Sequence, residues 1–188
     1  KSIKKPIETF DTNFNGTLNL LEIIRTNKLS ASTVLITSDK VYKNLEQGKP
    51  FKEADPLGGK DPYSASKAAC EILIGSYIDT FFSESTFKIA SVRAGNVIGG
   101  GDWGDYRLIP DIFRSKAQKK AVILRNPNST RPWQHVLESV FAYLLLGQKL
   151  SSKPKLHKGS WNFGPSENGI TVKQVIDIIS AIDNSIEY

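Results

Sequence analysis

The first part of the chain passes from an amphipathic segment to a uniformly apolar one. Between Glu8 and Asn27 apolar residues recur every three or four positions, as on one face of a helix: Phe10, Phe14, Leu18, Leu21 and Ile24. Residues 33–36 are a short apolar run, which is typical of a buried strand. A polar loop rich in glycine, proline and lysine covers residues 43–60. These patterns predict a helix, a strand and a long connection.

The next segments repeat this order. Residues 61–82 predict a long helix, with Asp61 as its N-cap and Pro62 at its first position. A second buried strand is predicted over residues 87–94, and a glycine cluster follows it. Helix, strand, helix, strand is the order of a parallel sheet joined by crossover helices. The fold class predicted is therefore α/β, with an incomplete doubly wound (Rossmann-type) parallel sheet.

The second half predicts shorter elements. We expect helices over residues 108–118, 135–150 and 171–182, and strands over residues 121–124 and 160–164. The last helix opens with a capping box formed by Thr171 and Gln174. Its predicted apolar stripe consists of Val175, Ile178, Ile179 and Ile182. This half predicts a smaller mixed region beside the main sheet.

Polar side chains follow both strands of the first half. Four polar residues come directly after the first strand: Thr37, Ser38, Asp39 and Lys40. Residues 93–101 comprise the end of the second strand and the segment after it. Ligands in parallel sheets bind at the carboxyl ends of the strands, so the two segments meet at one edge if the strands are neighbours. The alternative is a solvated loop, because most polar strand ends have no other role.

Composition and charge narrow the function classes. The formal net charge of +6 could serve nucleic acid, an anionic membrane surface or a phosphorylated small ligand, but the basic residues form no tail of the kind that binds nucleic acid. No apolar run approaches the ~20 residues of a membrane-spanning helix. Cys70, the single cysteine, cannot form an internal disulfide, which favours a cytoplasmic location. The sequence contains no methionine, so we expect a piece of a longer protein.

Tyr63 and Lys67 form a candidate catalytic pair. They are four residues apart in the predicted helix and therefore share one face. An ammonium group favours a phenolate over a neutral phenol, so the pair can act as a base toward a hydroxyl proton. The same spacing also occurs in pairs that merely lie on a helix surface. The strand end before it and the Asp-Pro that opens the helix favour the catalytic interpretation.

Several motifs together resemble one family. They are "NFNGTLNLLE", "ITSDKVY", "PYSASK" and "RAGNVIGGGD", and they resemble the extended short-chain dehydrogenase/reductase family. The longer "RLIPDIF" and "RNPNSTRPWQHV" are similar to its CDP-glucose 4,6-dehydratase branch. The resemblance implies that residues 1–97 are the C-terminal part of a dinucleotide-binding domain. Residues 98–188 are then mainly a substrate-binding region, with the alternative that strand 160–164 returns to the main sheet.

The resemblance also implies an internal oxidation and reduction with NAD as cofactor. Tyr63 would take the proton of the hydroxyl on sugar carbon 4, while Ser38 hydrogen-bonds the same hydroxyl. Lys67 would hold the nicotinamide ribose. Asn13 would support the lysine, and Thr37 is also assigned to the cofactor.

A dehydratase must in addition eliminate water across carbons 5 and 6 of the sugar. Related dTDP-glucose dehydratases carry an Asp-Glu pair at the positions of Asp39 and Lys40, and the Asp-Lys pair is similar to the CDP-glucose branch. Asp39 would be the acid and Lys40 the base. This requires a protonated Asp39 and a neutral Lys40, which burial favours and pairing of the two as ions opposes.

The substrate implied is a nucleotide sugar, CDP-glucose, and the relatives usually form homodimers. By resemblance the substrate contacts are Asn96, Leu108, Arg131 and His135. Arg131 would bind the diphosphate. The alternatives to these substrate contacts are that Arg131 forms a structural salt bridge and that His135 is a packed core histidine. Asp102 and Trp103 would shape the sugar pocket, or the surrounding glycines form only a turn.

One expected motif is missing from the sequence. A dinucleotide site needs a G-x-G-x-x-G turn after its first strand and an acidic residue about twenty positions later, and neither is found. We therefore expect the chain to be inactive alone. The alternatives are another epimerase or dehydratase of the same family, or a non-catalytic protein that binds nucleotide sugars. The Asp-Lys pair argues against an epimerase, and the intact Ser38, Tyr63 and Lys67 argue against a non-catalytic protein.

Overall fold

The structure is a computed structural model that describes residues 2–46, 48–83, 87–165 and 169–188. Gln47, in the loop predicted over residues 43–60, lies outside the described residues. The helices are α1 (Pro6–Phe10), α2 (Gly16–Thr26), α3 (Pro62–Thr80), α4 (Leu108–Ala117), α5 (Val136–Ser152), α6 (Pro154–His157) and α7 (Val172–Ile182). The strands are β1 (Ser32–Ile36), β2 (Lys88–Ala94), β3 (Val97–Ile98), β4 (Thr130–Arg131), β5 (Gln134–His135), β6 (Gly159–Phe163) and β7 (Ile170–Thr171).

The main sheet is parallel and has the strand order β1-β2-β6. Val34 of β1 lies opposite Ala90 of β2, and Ala90 in turn lies opposite Gly159 of β6. The central strand β2 is buried from Ile89 to Arg93. This burial suits a central parallel strand, which is covered on both faces, and it extends to the polar Ser91 and Arg93. The predicted α/β fold with a parallel sheet is confirmed.

A π-helical turn, Asp11–Asn15, interrupts the first predicted helix between α1 and α2. At this turn the main-chain carbonyl oxygen of Asn13 accepts hydrogen bonds from Thr17 Oγ1, at 2.7 Å, and from Cys70 Sγ, at 3.2 Å. Two side chains therefore donate to one carbonyl oxygen of this turn, and Cys70 connects the turn to α3. Helix α2 then packs Leu21 and Ile24 against α3 in one buried apolar cluster.

Helix α3 begins where the sequence predicts. The Asp61 carboxylate accepts hydrogen bonds from the backbone N–H groups of Tyr63 and Ser64, at 2.9 and 3.2 Å, which confirms it as the N-cap. The buried face of the helix consists largely of small or polar side chains: Ser64, Ser66, Ala68, Cys70, Glu71 and Ile74. Small side chains allow a close approach to neighbouring elements, and Glu71 is the one charged residue in this list.

The described part of the chain divides into two compact units. The described residues of Lys1–Ala94 and Val140–Phe163 form the first, and those of Gly95–Ser139 and Gly164–Tyr188 form the second. The sequence boundary after residue 97 differs from this division, because most of α5 and all of β6 belong with the first unit. The reason is physical: β6 pairs with β2, and Leu146 and Leu150 of α5 pack on Ala90 and Val92 of that strand. The roles assigned to the two regions stay predictions.

The second unit has two small strand pairs and its own core. Strands β3 and β5 pair in parallel, and β4 and β7 pair in antiparallel. Its apolar cluster joins α4 and α7 through Ile112, Val122, Ile176 and Ile186. The strand predicted over residues 121–124 was wrong, since that segment has no strand pairing in the described residues. Instead the Val122 N–H donates to the Glu187 carbonyl oxygen at 2.7 Å and the side chain is buried.

Among the described residues, no helix has both the length and the hydropathy needed to cross a membrane.

Candidate active site

The end of β1 turns sharply into a short 3-10 helix, Asp39–Val41. Ser38 is its N-cap, and Ser38 Oγ accepts a hydrogen bond from the Lys40 N–H at 3.2 Å. Ser38 is buried, as is Thr37 before it. This cap fixes the backbone at the strand end on which four of the predicted site residues lie.

The Thr37 side chain is engaged within the protein. Its hydroxyl donates to the carboxylate of Glu71 and lies 3.1 Å from the Val92 carbonyl oxygen. The Thr37 N–H donates to the same carbonyl oxygen at 2.8 Å. Thr37 therefore links the end of β1 to β2 and α3, and its assignment to the cofactor stays a prediction.

Asp39 and Lys40 lie in different environments. Asp39 is half-buried, and Ser38 Oγ donates to its Oδ1 at 3.1 Å. Lys40 is exposed. The elimination roles predicted for the pair depend on burial of both groups, and in this structure Asp39 is partly shielded from solvent and Lys40 is not. A bound substrate that covers Lys40 would supply the missing burial.

The charge of Lys40 also reaches the N-cap of α3. Burial raises the pKa of Asp61, but hydrogen bonds from the Ser64 hydroxyl and from the Ser64 and Tyr63 N–H groups, together with Lys40, lower it below its ordinary value. Ser64 Oγ donates to Asp61 Oδ2 at 2.6 Å. Asp61 is therefore an ionised cap close to the predicted acid-base pair.

Tyr63 and Lys67 lie one turn apart on α3, as the sequence predicts. Lys67 Nζ donates a hydrogen bond to the Ile36 carbonyl oxygen, 3.1 Å away at the carboxyl end of β1. Tyr63 is 36 % exposed, so its ring is open to a ligand. The lysine is thus held against the strand end that leads to Ser38.

Asn13 supports the same helix. Its Nδ2 donates to Ser66 Oγ at 2.9 Å, and Ser66 Oγ donates to the Tyr63 carbonyl oxygen at 2.8 Å. The Asn13 amide is therefore two hydrogen bonds away from the main chain of Tyr63. This arrangement favours a supporting role for Asn13, through the backbone of α3.

The remaining predicted site residues lie in the second unit. The Asn96 carbonyl oxygen accepts from the Gln134 N–H at 3.0 Å, and Leu108 begins α4 and packs on the apolar cluster of that unit. Arg131 and His135 are exposed. Arg131 Nη1 donates to the Thr130 carbonyl oxygen at 2.8 Å, and His135 Nδ1 accepts from the Leu137 N–H at 3.3 Å. Their contacts with a substrate stay predictions.

The glycine cluster ends in an ordered polar turn. Asp102 Oδ1 accepts from the Gly104 N–H at 2.9 Å, and Asp102 Oδ2 accepts from Arg107 Nη1 at 2.8 Å. These two contacts hold the pKa of Asp102 below its ordinary value. Trp103 beside it is 65 % exposed, which leaves its ring available to a ligand of this unit.

Residues 1–164 match the model of the NAD dependent epimerase/dehydratase family. The chain belongs to this family. The match covers β1, β2, β6 and the helix that carries Tyr63 and Lys67, so it includes the candidate site of the first unit. The resemblance to extended short-chain dehydrogenases/reductases is thereby confirmed.

Relatives within this family include sugar-nucleotide dehydratases. The chain is 45 % identical over 182 residues to a CDP-glucose 4,6-dehydratase of Salmonella typhimurium, covering 94 % of this chain and 51 % of the relative. It is 34 % identical over 191 residues to a dTDP-glucose 4,6-dehydratase of Xanthomonas campestris, covering 97 % of this chain and 50 % of the relative. The chain therefore spans about half the length of these curated relatives.

A solved structure supports the fold. The UDP-glucose 4-epimerase of Thermus thermophilus in complex with NAD superposes with a TM-score of 0.80 at 25 % identity. The superposition covers 99 % of this chain and 58 % of that protein.

The described residues contain no group of three or more acidic, histidine or cysteine side chains arranged to hold a metal ion.

Sequence reasoning missed a buried polar network beside this family's site. Glu71 on α3 and Arg93 on β2 form an ion pair, with Arg93 Nη2 2.6 Å from Glu71 Oε2. The side chain of Glu71 is 0 % exposed and that of Arg93 is 4 % exposed. A signal was present: opposite charges stand in two segments predicted to be buried, and buried charges are normally paired. Burial lowers the pKa of Arg93, but its bonds to Glu71 and Tyr42 outweigh burial and raise that pKa above its ordinary value.

Arg93 also secures the loop that precedes α3. Its Nη1 donates to Tyr42 Oη at 2.8 Å and to the Glu53 carbonyl oxygen at 2.9 Å. Tyr42 Oη donates in turn to Asn162 Oδ1 at 2.6 Å, and the Tyr42 ring stacks on Phe51 with the ring centres 4.6 Å apart. The guanidinium therefore connects β2 with the loop and, through Tyr42, with β6.

Proposed function

We propose that the complete protein containing this chain is an NAD-dependent nucleotide-sugar 4,6-dehydratase that acts on CDP-glucose. The observation that carries the proposal is the Asp39–Lys40 turn, capped by Ser38, at the strand end against which Lys67 is held. An acid-base pair beside a Tyr-Lys pair suits a reaction that both oxidises a hydroxyl and removes water. The similarity to a relative named CDP-glucose 4,6-dehydratase supports this substrate over other nucleotide sugars.

Tyr63 is the proposed base for the hydroxyl on sugar carbon 4. Its exposed ring lets a ligand approach, and Lys67 lies one turn away on the same face of α3. Ser38 would orient the same hydroxyl, because its Oγ can accept a hydrogen bond from a substrate hydroxyl as it does from the Lys40 N–H. These residues bind and orient the hydroxyl and take its proton.

The chemistry of these donors fits the nicotinamide side of NAD. Lys67 offers an ammonium at the carboxyl end of a parallel strand, where cofactors of such sheets bind, and Tyr63 offers a hydroxyl one turn before it on α3. Both groups are suitable partners for ribose hydroxyls. When bound, NAD supplies the acceptor for the hydride of carbon 4 and its later return to carbon 6. The sequence carries no glycine fingerprint for the pyrophosphate, so this chain presents only part of a cofactor site.

Asp39 and Lys40 are the proposed acid and base of the elimination. Asp39 would protonate the leaving hydroxyl of carbon 6, and Lys40 would take the proton of carbon 5. Asp39 is half-buried and Lys40 is exposed, so a sugar seated over the pair would shield both groups from solvent. An epimerase needs neither step, so the pair separates this proposal from the epimerase alternative. A non-catalytic binding protein would require neither the Asp39–Lys40 pair nor the Tyr63–Lys67 pair.

Two variants test the elimination in the complete protein under single-turnover conditions with CDP-glucose in deuterated water. Asp39→Asn keeps the shape and cannot act as a carboxylic acid, and Lys40→Met keeps the stem without the amine. Both should still oxidise the sugar at carbon 4 and then fail to lose water, and Lys40→Met should not incorporate solvent deuterium at carbon 5. Lys43→Met, which removes another exposed lysine of the same loop, should behave as wild type.

The Lys40 assignment fails if Lys40→Met incorporates deuterium at carbon 5 at the wild-type rate. The dehydratase proposal itself fails if the wild-type protein releases no 4-keto-6-deoxy sugar from CDP-glucose. A homodimer of the complete protein stays a prediction, which light scattering checks.

The isolated chain is proposed to be inactive. Without the glycine turn and the ribose-binding acid, the 188 residues should bind NAD only very weakly. Isothermal titration of the chain with NAD measures this affinity. Micromolar binding would show that the residues present suffice for the cofactor.

A further inference from the structure

The carboxylate of Glu71 is the meeting point of three strands. Oε1 accepts from the hydroxyl of Thr37, which follows β1. Oε2 accepts from Ser91 Oγ of β2 at 2.9 Å, from Ser160 Oγ of β6 at 3.0 Å and from Arg93 Nη2 of β2 at 2.6 Å. The Glu71 side chain is completely buried, so a ligand cannot reach it and it does not act on substrate.

Glu71 also lies on the face of α3 that carries the proposed catalytic pair. It follows Lys67 by four residues and Tyr63 by eight, which places the three side chains in one row along the helix. Thr37, its partner at the strand end, is directly followed by Ser38. One carboxylate therefore connects the helix of Tyr63 and Lys67 with the turn of Ser38.

Stabilisation alone does not account for this choice of residue. A buried ion pair adds little net stability, because desolvation of both charges offsets their attraction, and apolar side chains of similar volume often serve as well. Hydrogen bonds differ from apolar contacts in being directional. Bonds from one carboxylate to three strands restrict both the sliding of α3 along the sheet and its rotation.

We propose that Glu71 is a positioning residue, which together with Thr37 holds Tyr63 and Lys67 in register with Ser38. The inference rests on the proposed function for its kinetic consequences, because it concerns the same site. Arg93 balances the charge of the Glu71 carboxylate and anchors the loop before α3 through the Glu53 carbonyl oxygen.

Glu71→Gln in the complete protein tests the proposal, because it preserves size and removes the charge and one acceptor oxygen. We expect kcat for CDP-glucose to fall about tenfold or more, as small misplacements of reacting groups do, with KM within about twofold of wild type. Glu22→Gln is the matched control. Glu22 also pairs with an arginine, Arg25, and also accepts from α3, through Tyr77 Oη at 2.6 Å, but at the far end of the helix. Its kcat should remain near wild type.

Thr37 gives a second, milder test that does not leave a buried charge unpaired. Thr37→Val removes the hydroxyl and keeps the shape, so it should lower kcat in the same way as Glu71→Gln. Thr37→Ser restores a hydroxyl and should recover most of the loss. The double variant Glu71→Gln/Thr37→Val should be little worse than the poorer single variant, because both remove one connection.

A third measurement does not depend on the substrate. In the complete protein without substrate, the NMR resonances of the Tyr63 phenol carbon and the Ser38 amide should move in Thr37→Val and Glu71→Gln and stay in place in Glu22→Gln. Unchanged resonances, or a kcat that falls equally in Glu22→Gln and Glu71→Gln, would overturn the positioning role. If wild type does not turn over CDP-glucose, the proposed function fails, and these resonances still decide whether Glu71 positions the two residues.

Discussion

Lys67 Nζ and the Ile36 carbonyl oxygen are joined by a hydrogen bond of 3.1 Å. Ile36 is the last residue of β1, and Lys67 lies one turn after Tyr63 on α3. The bond therefore holds the helix that carries the tyrosine against the strand end that continues into Ser38. Because ligands of parallel α/β sheets bind at this edge, the contact connects the fold directly to the proposed chemistry.

Tyr63→Phe is expected to remove the base for the carbon 4 hydroxyl while keeping the ring. Turnover of CDP-glucose by the complete protein should fall by roughly a hundredfold or more, the usual contribution of general-base catalysis. Substrate affinity, measured by calorimetry, should change little. Tyr188→Phe, at the C-terminus of this chain, is the control and should retain normal turnover. Near-normal turnover by Tyr63→Phe would exclude that residue as the base.

Asp61→Ala is expected to destabilise the chain by about 1 kcal/mol through loss of the α3 N-cap. Asp79 provides the control in the last turn of the same helix, where a carboxylate lies unfavourably at the negative end of the dipole. Asp79→Ala should therefore be neutral or slightly stabilising. Urea unfolding of the three proteins at neutral pH measures these differences. Equal losses in both variants would argue against the cap.

The contribution of Asp61 should depend on pH in one direction. Its pKa in the folded chain is lower than the ordinary value of 3.8, so the ionised cap stabilises the fold fully above that value. The stabilisation is lost as the pH falls through the folded pKa. The difference in unfolding free energy between wild type and Asp61→Ala should thus shrink on acidification below that range. A difference that grows there would contradict the ionised cap.

Local signals in the sequence were sufficient for much of the first unit. Asp61 and Pro62 mark the start of α3, and the strand predicted over residues 87–94 is found as β2. The contact of Cys70 with the π-helical turn could not be predicted, because Cys70 is distant in sequence from Asn13. Periodicity was also insufficient on α7, where Ile178 and Ile182 of the predicted stripe are 54 % and 83 % exposed and Ile176 is buried instead.

The candidate site was predictable to the extent that it follows from topology. Strand ends of a parallel sheet meet at one edge, which brings the residues that follow β1 beside the end of β2. The convergence of Thr37, Glu71 and Ser160 depends on the lateral register of three strands and a helix, which no local pattern encodes. The exposure of Lys40 likewise follows from the turn geometry and not from its place in the sequence.

Packing between α2 and α3 gives a test of the fold itself. Ile74 is 1 % exposed in the cluster with Leu21, so Ile74→Ala should lower the unfolding free energy by about 2–5 kcal/mol. Ile72, two residues earlier on the same helix, is 63 % exposed. Ile72→Ala should change stability by no more than about 0.5 kcal/mol. Denaturant unfolding compares them, and similar losses would contradict the orientation of α3.

CDP-glucose deuterated at carbon 4 tests the proposed dehydration most directly. After incubation with the complete protein, mass spectrometry and NMR locate the deuterium in the product. A 4,6-dehydratase with internal hydride transfer predicts a 4-keto-6-deoxy sugar with the deuterium on carbon 6 of the same molecule. Deuterium retained on carbon 4 of a sugar that is inverted there and still carries its carbon 6 hydroxyl would contradict the dehydratase and indicate an epimerase.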